Sequence, residues 1–292
     1  MSLKKEIQIF LILLIFSILL AVVLGSMFSI HYGNTMIIPI KGEITMSGTS
    51  SLFTSISNGD DILEQIDQAA KNPNVKAVIL DINSPGGTVV AVEQIVNKLK
   101  ELNKTKVALI RETGASGAYW IASAADKIVA DQFSILGSIG VTASYLEYSG
   151  LMERFNVSYV RIVSGEHKDI GSPYKKPTEK ELTDLQDMVN AIHEKFVSDI
   201  SKNRNLDINF VKNISDGSIF LGEKAKELGL IDYLGGKETA FNVTKEIANL
   251  TEIIPFEAKK KIGLFDLISM LSSLGTGRIL ELNKISLNVA YP

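Results

Sequence analysis

Hydrophobic positions open the chain as one unbroken block. From Ile7 to Ile30 there is no charged residue, and Phe10–Phe16 and Leu19–Leu24 are apolar throughout. These 24 positions exceed the roughly 20 that carry a helix across a hydrocarbon core, and the block is longer than the apolar core of a cleaved signal peptide. Lys4 and Lys5 precede it and the next lysine is Lys41, so the charge bias predicts a membrane helix over 7–30. Residues 1–6 would then be a short cytoplasmic N-terminus, with everything after the helix outside. Small residues between Ala21 and Ser26 keep cleavage open as the alternative, and His31 and Tyr32 fit an interfacial rim.

Beyond residue 35 the pattern changes to short β-branched runs alternating with amphipathic stretches. Met36–Ile40, Lys76–Ile82, Lys106–Ile110, Lys127–Ala130 and Val157–Ile162 read as strands. Asp60–Ala70, with Ile62, Leu63 and Ile66 on one face, reads as a helix; so do Val89–Leu102 and the small-residue stretch from Ser116 to Ala125. Thr178 and Glu181 have capping-box spacing and open a helix to about Asn203, with Leu182, Leu185, Val189, Ile192 and Phe196 as its apolar stripe. Strands and helices in this alternation predict an α/β domain, 35–250, with a mostly parallel sheet. The remainder, 251–292, is set down as a tail, and its apolar part, Ile262 to Leu274, suits core packing, a contact with another copy or a membrane surface alike.

Composition narrows the chemistry. The net charge of −3 and pI near 5.8 give no reason to expect a nucleic-acid partner. Without a cysteine, disulfides, thiol catalysis and cysteine-ligated metals are excluded. Of the three histidines, His193 lacks the second histidine of a zinc-protease helix and reads as a helical surface residue. No metal site and no cofactor are expected.

Two glycine-bearing loops each lie between a strand end and a helix start, the place where open α/β sheets bind ligands. In the first, Gly86-Gly87 leads into a helix, so its amides could stabilise an oxyanion, or the glycines could serve a tight turn alone. In the second, Ser116 stands in Gly114-Ala115-Ser116-Gly117-Ala118, as a helix N-cap or as a nucleophile. Ala118 breaks the usual G-x-S-x-G nucleophile-elbow motif. A base would come from Ser164-Gly165-Glu166-His167-Lys168-Asp169, as His167, with or without Asp169, or as Lys168. A lysine ordinarily titrates at about 10.4, so that role demands burial in the closed site. The residues by themselves leave this choice open. Ser172-Pro173-Tyr174-Lys175 has S-x-x-K spacing but is set aside, because Pro173 interrupts the helix that motif requires.

Five segments in order resemble the short form of the signal peptide peptidase A family, which shares its fold with Clp-type proteases and crotonases. They are Asp81–Gly87, Ala115–Ala122, Leu136–Val141, Ser164–Pro173 and Phe220–Asp232. The resemblance implies a Clp protease/crotonase-like superhelix of repeated ββα units behind one transmembrane helix. It implies a serine endopeptidase with Ser116 as nucleophile and Lys168 as general base. Gly86 or Gly87 would donate to the oxyanion, Gly117 less so, and Ser138 would orient the lysine. Substrates would be cleaved signal peptides and similar hydrophobic peptides, cut at the cell membrane by a homo-oligomer. Glu166-His167 stands where the family often has an aromatic, which keeps His167 as a modulator. The rivals are an acyl-CoA enzyme of the crotonase type, a catalytically silent scaffold on the same fold, and the stomatin-associated Clp-class membrane protease. Five Asn-x-Ser/Thr sequons, at Asn103, Asn156, Asn213, Asn242 and Asn249, would face outward.

Overall fold

The computed structural model describes residues 3–27, 33–47 and 56–258; within the first helix, side chains are described at positions 7 and 9–20. The chain divides into a compact unit ending at Glu257 and a segment from Ala258 to Pro292. The apolar stretch Ile262 to Leu274, together with His31 and Tyr32, lies outside the described residues.

The opening apolar block forms helix α1 (Leu3–Met27), 25 residues long and so roughly 37 Å at 1.5 Å per residue. Its described side chains are exposed apart from the half-buried Leu19, with Phe10 at 65% and Phe16 at 62%. They cover only residues 7–20, fewer than a span needs; among the described residues no helix is long and apolar enough to cross a membrane.

The β-branched runs become strands of one sheet. Following the chain, these are β1 (Thr35–Lys41), a separate pair β2 (Glu43–Thr45) and β3 (Ile56–Asn58), then helix α2 (Gly59–Lys71). Next come β4 (Ala77–Ser84), α3 (Val89–Glu101), β5 (Thr105–Ala115), α4 (Gly117–Ser123), β6 (Lys127–Ala130) and β7 (Ile135–Gly137). Then follow α5 (Ser149–Arg154), α6 (Glu179–Arg204), α7 (Ile208–Asn213), β8 (Ile219–Leu221), α8 (Gly222–Glu227), β9 (Tyr233–Leu234), α9 (Lys237–Ile247) and β10 (Pro255–Glu257). The sheet order is β10-β1-β4-β5-β6-β9, all parallel, with β7 extending β5 and β8 antiparallel to β7. A mixed α/β fold with a mostly parallel sheet is what the alternation predicts. The edge strand β10 lies past residue 250, in the stretch set down as tail.

Strands buried on both faces carry apolar residues almost without a break, and β4 shows it: Ala77 to Leu80 are each no more than 1% exposed. On one face Ile79, Val107, Leu109 and Val129 pack against Ala240 and Val243 of α9. On the other side of the sheet α4 packs against β4 and β5 and α2 against β1, with α3 between α2 and α4. All of α4, Gly117 to Ser123, is buried. The ring of Trp120 stacks on Phe196 of α6 with centroids 4.5 Å apart. Its indole N–H donates to Asp199 at 3.1 Å, and Lys100 and Lys195 close on the same carboxylate.

The run Val157–Ile162 is not a strand. Its residues have no sheet partner among the described residues, and Val160 and Ile162 stand 76% and 90% exposed. β-branched composition suits a pleated surface, but a strand also needs an edge to pair with, and none among the described residues reaches this run.

Candidate active site

The carboxyl ends of β4 and β5 place the two glycine loops side by side. Strand β5 stops at Ala115, the chain reverses at Ser116 with φ 53° and ψ −127°, and α4 starts at Gly117. A serine with positive φ is strained, and such strain persists only where surroundings over-determine it. Here the Ser116 N–H donates to Gly137 O at 2.8 Å, and Ser116 O accepts from Trp120 N at 3.0 Å. Although Ser116 occupies the N-cap position of α4, its side chain makes no capping hydrogen bond. The N-cap explanation therefore fails, and Ser116 lines a cavity instead. A sharp strand-to-helix turn of this kind is what the G-x-S-x-G motif builds elsewhere; here it forms without the motif.

Gly86 (φ 108°) packs so closely that a Cβ on it would meet Gly117 N at 2.8 Å and Ser116 Cβ at 3.0 Å. Its own N–H donates to Ser84 Oγ at 3.1 Å and its carbonyl accepts from Ile44 N–H at 2.9 Å. Gly87 bridges to Ile44, and a Cβ there would fall 1.9 Å from Ile44 O. Among the described residues, neither the Gly87 nor the Gly117 N–H has a backbone acceptor. Ser138 follows Gly137 with φ 49°, and its N–H donates to Ser218 O at 2.7 Å.

Gly87, Ser116, Gly117 and Ser138 line one cavity of about 460 Å³. Val92, Trp120, Val189 and Phe196 form an apolar wall, and Gln186, Asn190 and His193 add a polar row. Those three are spaced i, i+4, i+7 on α6 and share one side of the helix. His193, read from sequence as a surface residue, is half-buried in this wall, with Nε2 donating to Ser215 O at 2.9 Å. The available signal was the polar row running one position behind the apolar stripe. Asp216 and Gly217, from the turn before β8, complete the rim.

Lys168 is not among the lining residues. It is exposed, on a series of turns over 164–171, and the N–H of Lys168 donates to Gly165 O at 3.2 Å. Neighbouring charges are paired. Arg161 makes a two-pronged contact with Asp169 at 2.7 and 2.9 Å, Lys175 lies 3.6 Å from Asp169, and Lys175 also pairs with the buried Glu181. Among the described residues the Lys168 ammonium has no hydrogen-bond or ion-pair partner. Asp169 is bound to Arg161, and His167 lies 3.7 Å from both Glu166 and Asp184, so His167 and Asp169 do not assemble as a relay. Lys175 sits in turns without helix and is engaged by Glu181, leaving the S-x-x-K spacing without its geometry. Among the described residues no group of three or more His, Asp or Glu could hold a metal ion.

The model of peptidase family S49 matches residues 98–251, and that of ClpP-like SDH-type serine proteinases matches residues 6–156. The chain is 37% identical over 233 residues to a "putative protease" of Methanocaldococcus jannaschii, covering 75% of each. It is 36% identical over 224 residues to a "putative signal peptide peptidase SppA" of Enterococcus faecium, covering 75% of this chain and 65% of that one. To "Protease 4" of Haemophilus influenzae it is 31% identical over 198 residues, covering 66% of this chain but only 32% of the relative. A family model matching more than half the chain and a serine set in a strained turn over a cavity lead to one conclusion: the chain belongs to peptidase family S49 and is a serine peptidase.

Proposed function

We propose that the chain is a membrane-anchored serine endopeptidase that cuts cleaved signal peptides and similar hydrophobic peptides with a Ser116–Lys168 dyad. The observation that carries this reading is Ser116 itself. Its hydroxyl is released from capping, held in a strained turn, and set beside two amides without backbone acceptors. In the proposed reaction Ser116 Oγ attacks the scissile carbonyl while its proton passes to the neutral Lys168 amine. The Gly87 and Gly117 amides receive the oxyanion, a role for which the Gly86 N–H, bonded to Ser84, is less suited. The lysine then protonates the leaving amine, and water releases the acyl group from Ser116.

The unpaired state of Lys168 favours it over its neighbours, since a carboxylate partner would hold the proton that a base must lose. Lying outside the cavity of its own chain, Lys168 reaches a serine through assembly. Leu146, Phe155, Val160 and Ile162 around it are 70–90% exposed, an apolar surface that a second copy would cover. Burial there would also supply the low-polarity surroundings a lysine base needs, with Ser138 as its orienting partner. The fold is read as the ββα superhelix of Clp-type proteases. Helix α1, uncharged from Ile7 onward, is read as the membrane anchor, the N-terminus cytoplasmic and the domain outside. The relative named for signal peptides and the apolar cavity wall support the substrate class.

The decisive experiment is labelling of purified membranes with a fluorophosphonate probe, expected on Ser116. Ser116→Ala and Lys168→Ala should each abolish cleavage of a leucine-rich peptide with an unchanged melting curve. Activity surviving in Lys168→Ala but lost in His167→Ala would overturn the dyad.

A further inference from the structure

The cavity beside Ser116 is apolar on one side and carries a charge on the other. Among the described lining residues Asp216 is the one carboxylate, and none is lysine or arginine. Asp216 lies at the rim, on the turn from Ser215 to Ser218. Asp216 is exposed, its Oδ1 accepts the Ser218 N–H at 2.9 Å, and no lysine or arginine among the described residues forms an ion pair with it. The Ser218 hydrogen bonds hold the carboxyl below the usual carboxylate range, so it is ionised at physiological pH. The turn is fixed in place: His193 bonds Ser215 O, Gly217 N–H donates to Ile139 O at 3.1 Å, and Ser218 O accepts from Ser138. An anionic group is therefore held at a set distance from an apolar wall, in one cavity with Ser116.

We infer that this cavity selects peptides carrying a lysine or arginine among apolar residues, with Asp216 as the group that reads the charge. The two halves of the cavity match the two halves of such a side chain. The methylene stem lies along Val89, Val189 and Ile192, apolar lining side chains that are half-buried, and the cationic head reaches Asp216 at the open rim. An acidic side chain in the same place would meet only repulsion, and a purely apolar one would leave the carboxylate unmatched. The inference rests on the reading of this cavity as the peptide site and adds a charge preference to it.

The test uses the whole chain in detergent micelles with Ser116→Ala, so that binding is read without turnover. Three fluorescently labelled peptides are titrated, leucine- and alanine-rich and identical but for lysine, norleucine or glutamate at one central position. A rim-exposed ion pair predicts that the lysine peptide binds about two- to fivefold tighter than the norleucine peptide, with the glutamate peptide weakest. Asp216→Asn keeps an acceptor for the Ser218 N–H and should erase the lysine advantage. Salt at 1 M, where screening acts over about 3 Å, should shrink it with Asp216 in place, a measurement that needs no substitution at Asp216. Equal affinities, no binding of any peptide, or a lysine advantage that survives both Asp216→Asn and 1 M salt would overturn the inference. Cleavage by the wild-type chain is followed in parallel. A protein that binds with this preference and cuts nothing would refute the peptidase mechanism while leaving the charge preference standing.

Discussion

Ser116 bears the strain in this molecule at one pair of dihedral angles, φ 53° and ψ −127°, which a glycine would adopt freely. Strain of that kind costs about 1–3 kcal/mol, whereas a glycine in its place loses about 0.5–1 kcal/mol to chain entropy. Ser116→Gly should therefore be more stable than Ser116→Ala by about 1 kcal/mol, both being inactive, as measured by urea denaturation of the two side by side. Equal stabilities would mean that the turn relaxes around alanine. The same residue shows where sequence reading stops. A serine before a small-residue helix looks like an N-cap, and only the missing capping bond together with the backbone angles separates a nucleophile from a cap.

Helix α6 and the turns before it act as a unit, because the residues that start the helix also hold the Lys168 segment. Thr178 accepts from the Glu181 N–H, Glu181 returns the bond to the Thr178 N–H, and the Glu181 carboxylate also binds Lys175. Thr178→Ala should cost about 1 kcal/mol, seen as a drop of about 2–4 °C in Tm. The ion pairs predict an acid response as well. Arg161 holds the Asp169 carboxyl below its usual range, and Lys175 does the same for Glu181. A carboxylate depressed in the folded state contributes stability that is complete above its ordinary value and is lost as pH falls toward the folded one. The turns over 161–175 should thus begin to open below about pH 4, detectable in the Arg161 Nε–H resonance, and Asp169→Asn should retain only the part of the response that comes from the Lys175–Glu181 pair. At this scale the sequence was most legible where the signal is local: the capping box, the β-branched runs of β4 and β5, and the amphipathic α2 and α3 all form as their patterns imply. The Val157–Ile162 run misled because β-propensity says nothing of a partner. The cavity was only partly legible because positions 87, 116, 138, 193 and 216 meet through the sheet, not through the chain.

Beyond α1, a cluster of exposed apolar residues in the sequence runs from Tyr145 to Ile162 and continues into α6, where Leu182 is 51% and Met188 55% exposed. If assembly covers this surface, Ile162→Glu should leave folding intact, since the side chain touches almost nothing, yet shift the particle to a smaller species in light scattering and lower peptide cleavage with it. An unchanged mass would place the interface elsewhere. The order of the sheet has a further consequence, in time instead of space. Strand β1 lies between β4 and β10, and Asn34 exchanges hydrogen bonds with Glu252 and Ile254 some 220 residues later. While the chain is being made, one edge of its first strand stays open until nearly the last part of the unit emerges, because the strand that closes it does not yet exist. Loop closure over such a separation is slow, and an open edge can pair with any strand nearby. Interrupted synthesis, or proteolysis between α9 and β10, should therefore yield molecules that join one another through β1 even with the chemistry around Ser116 already in place.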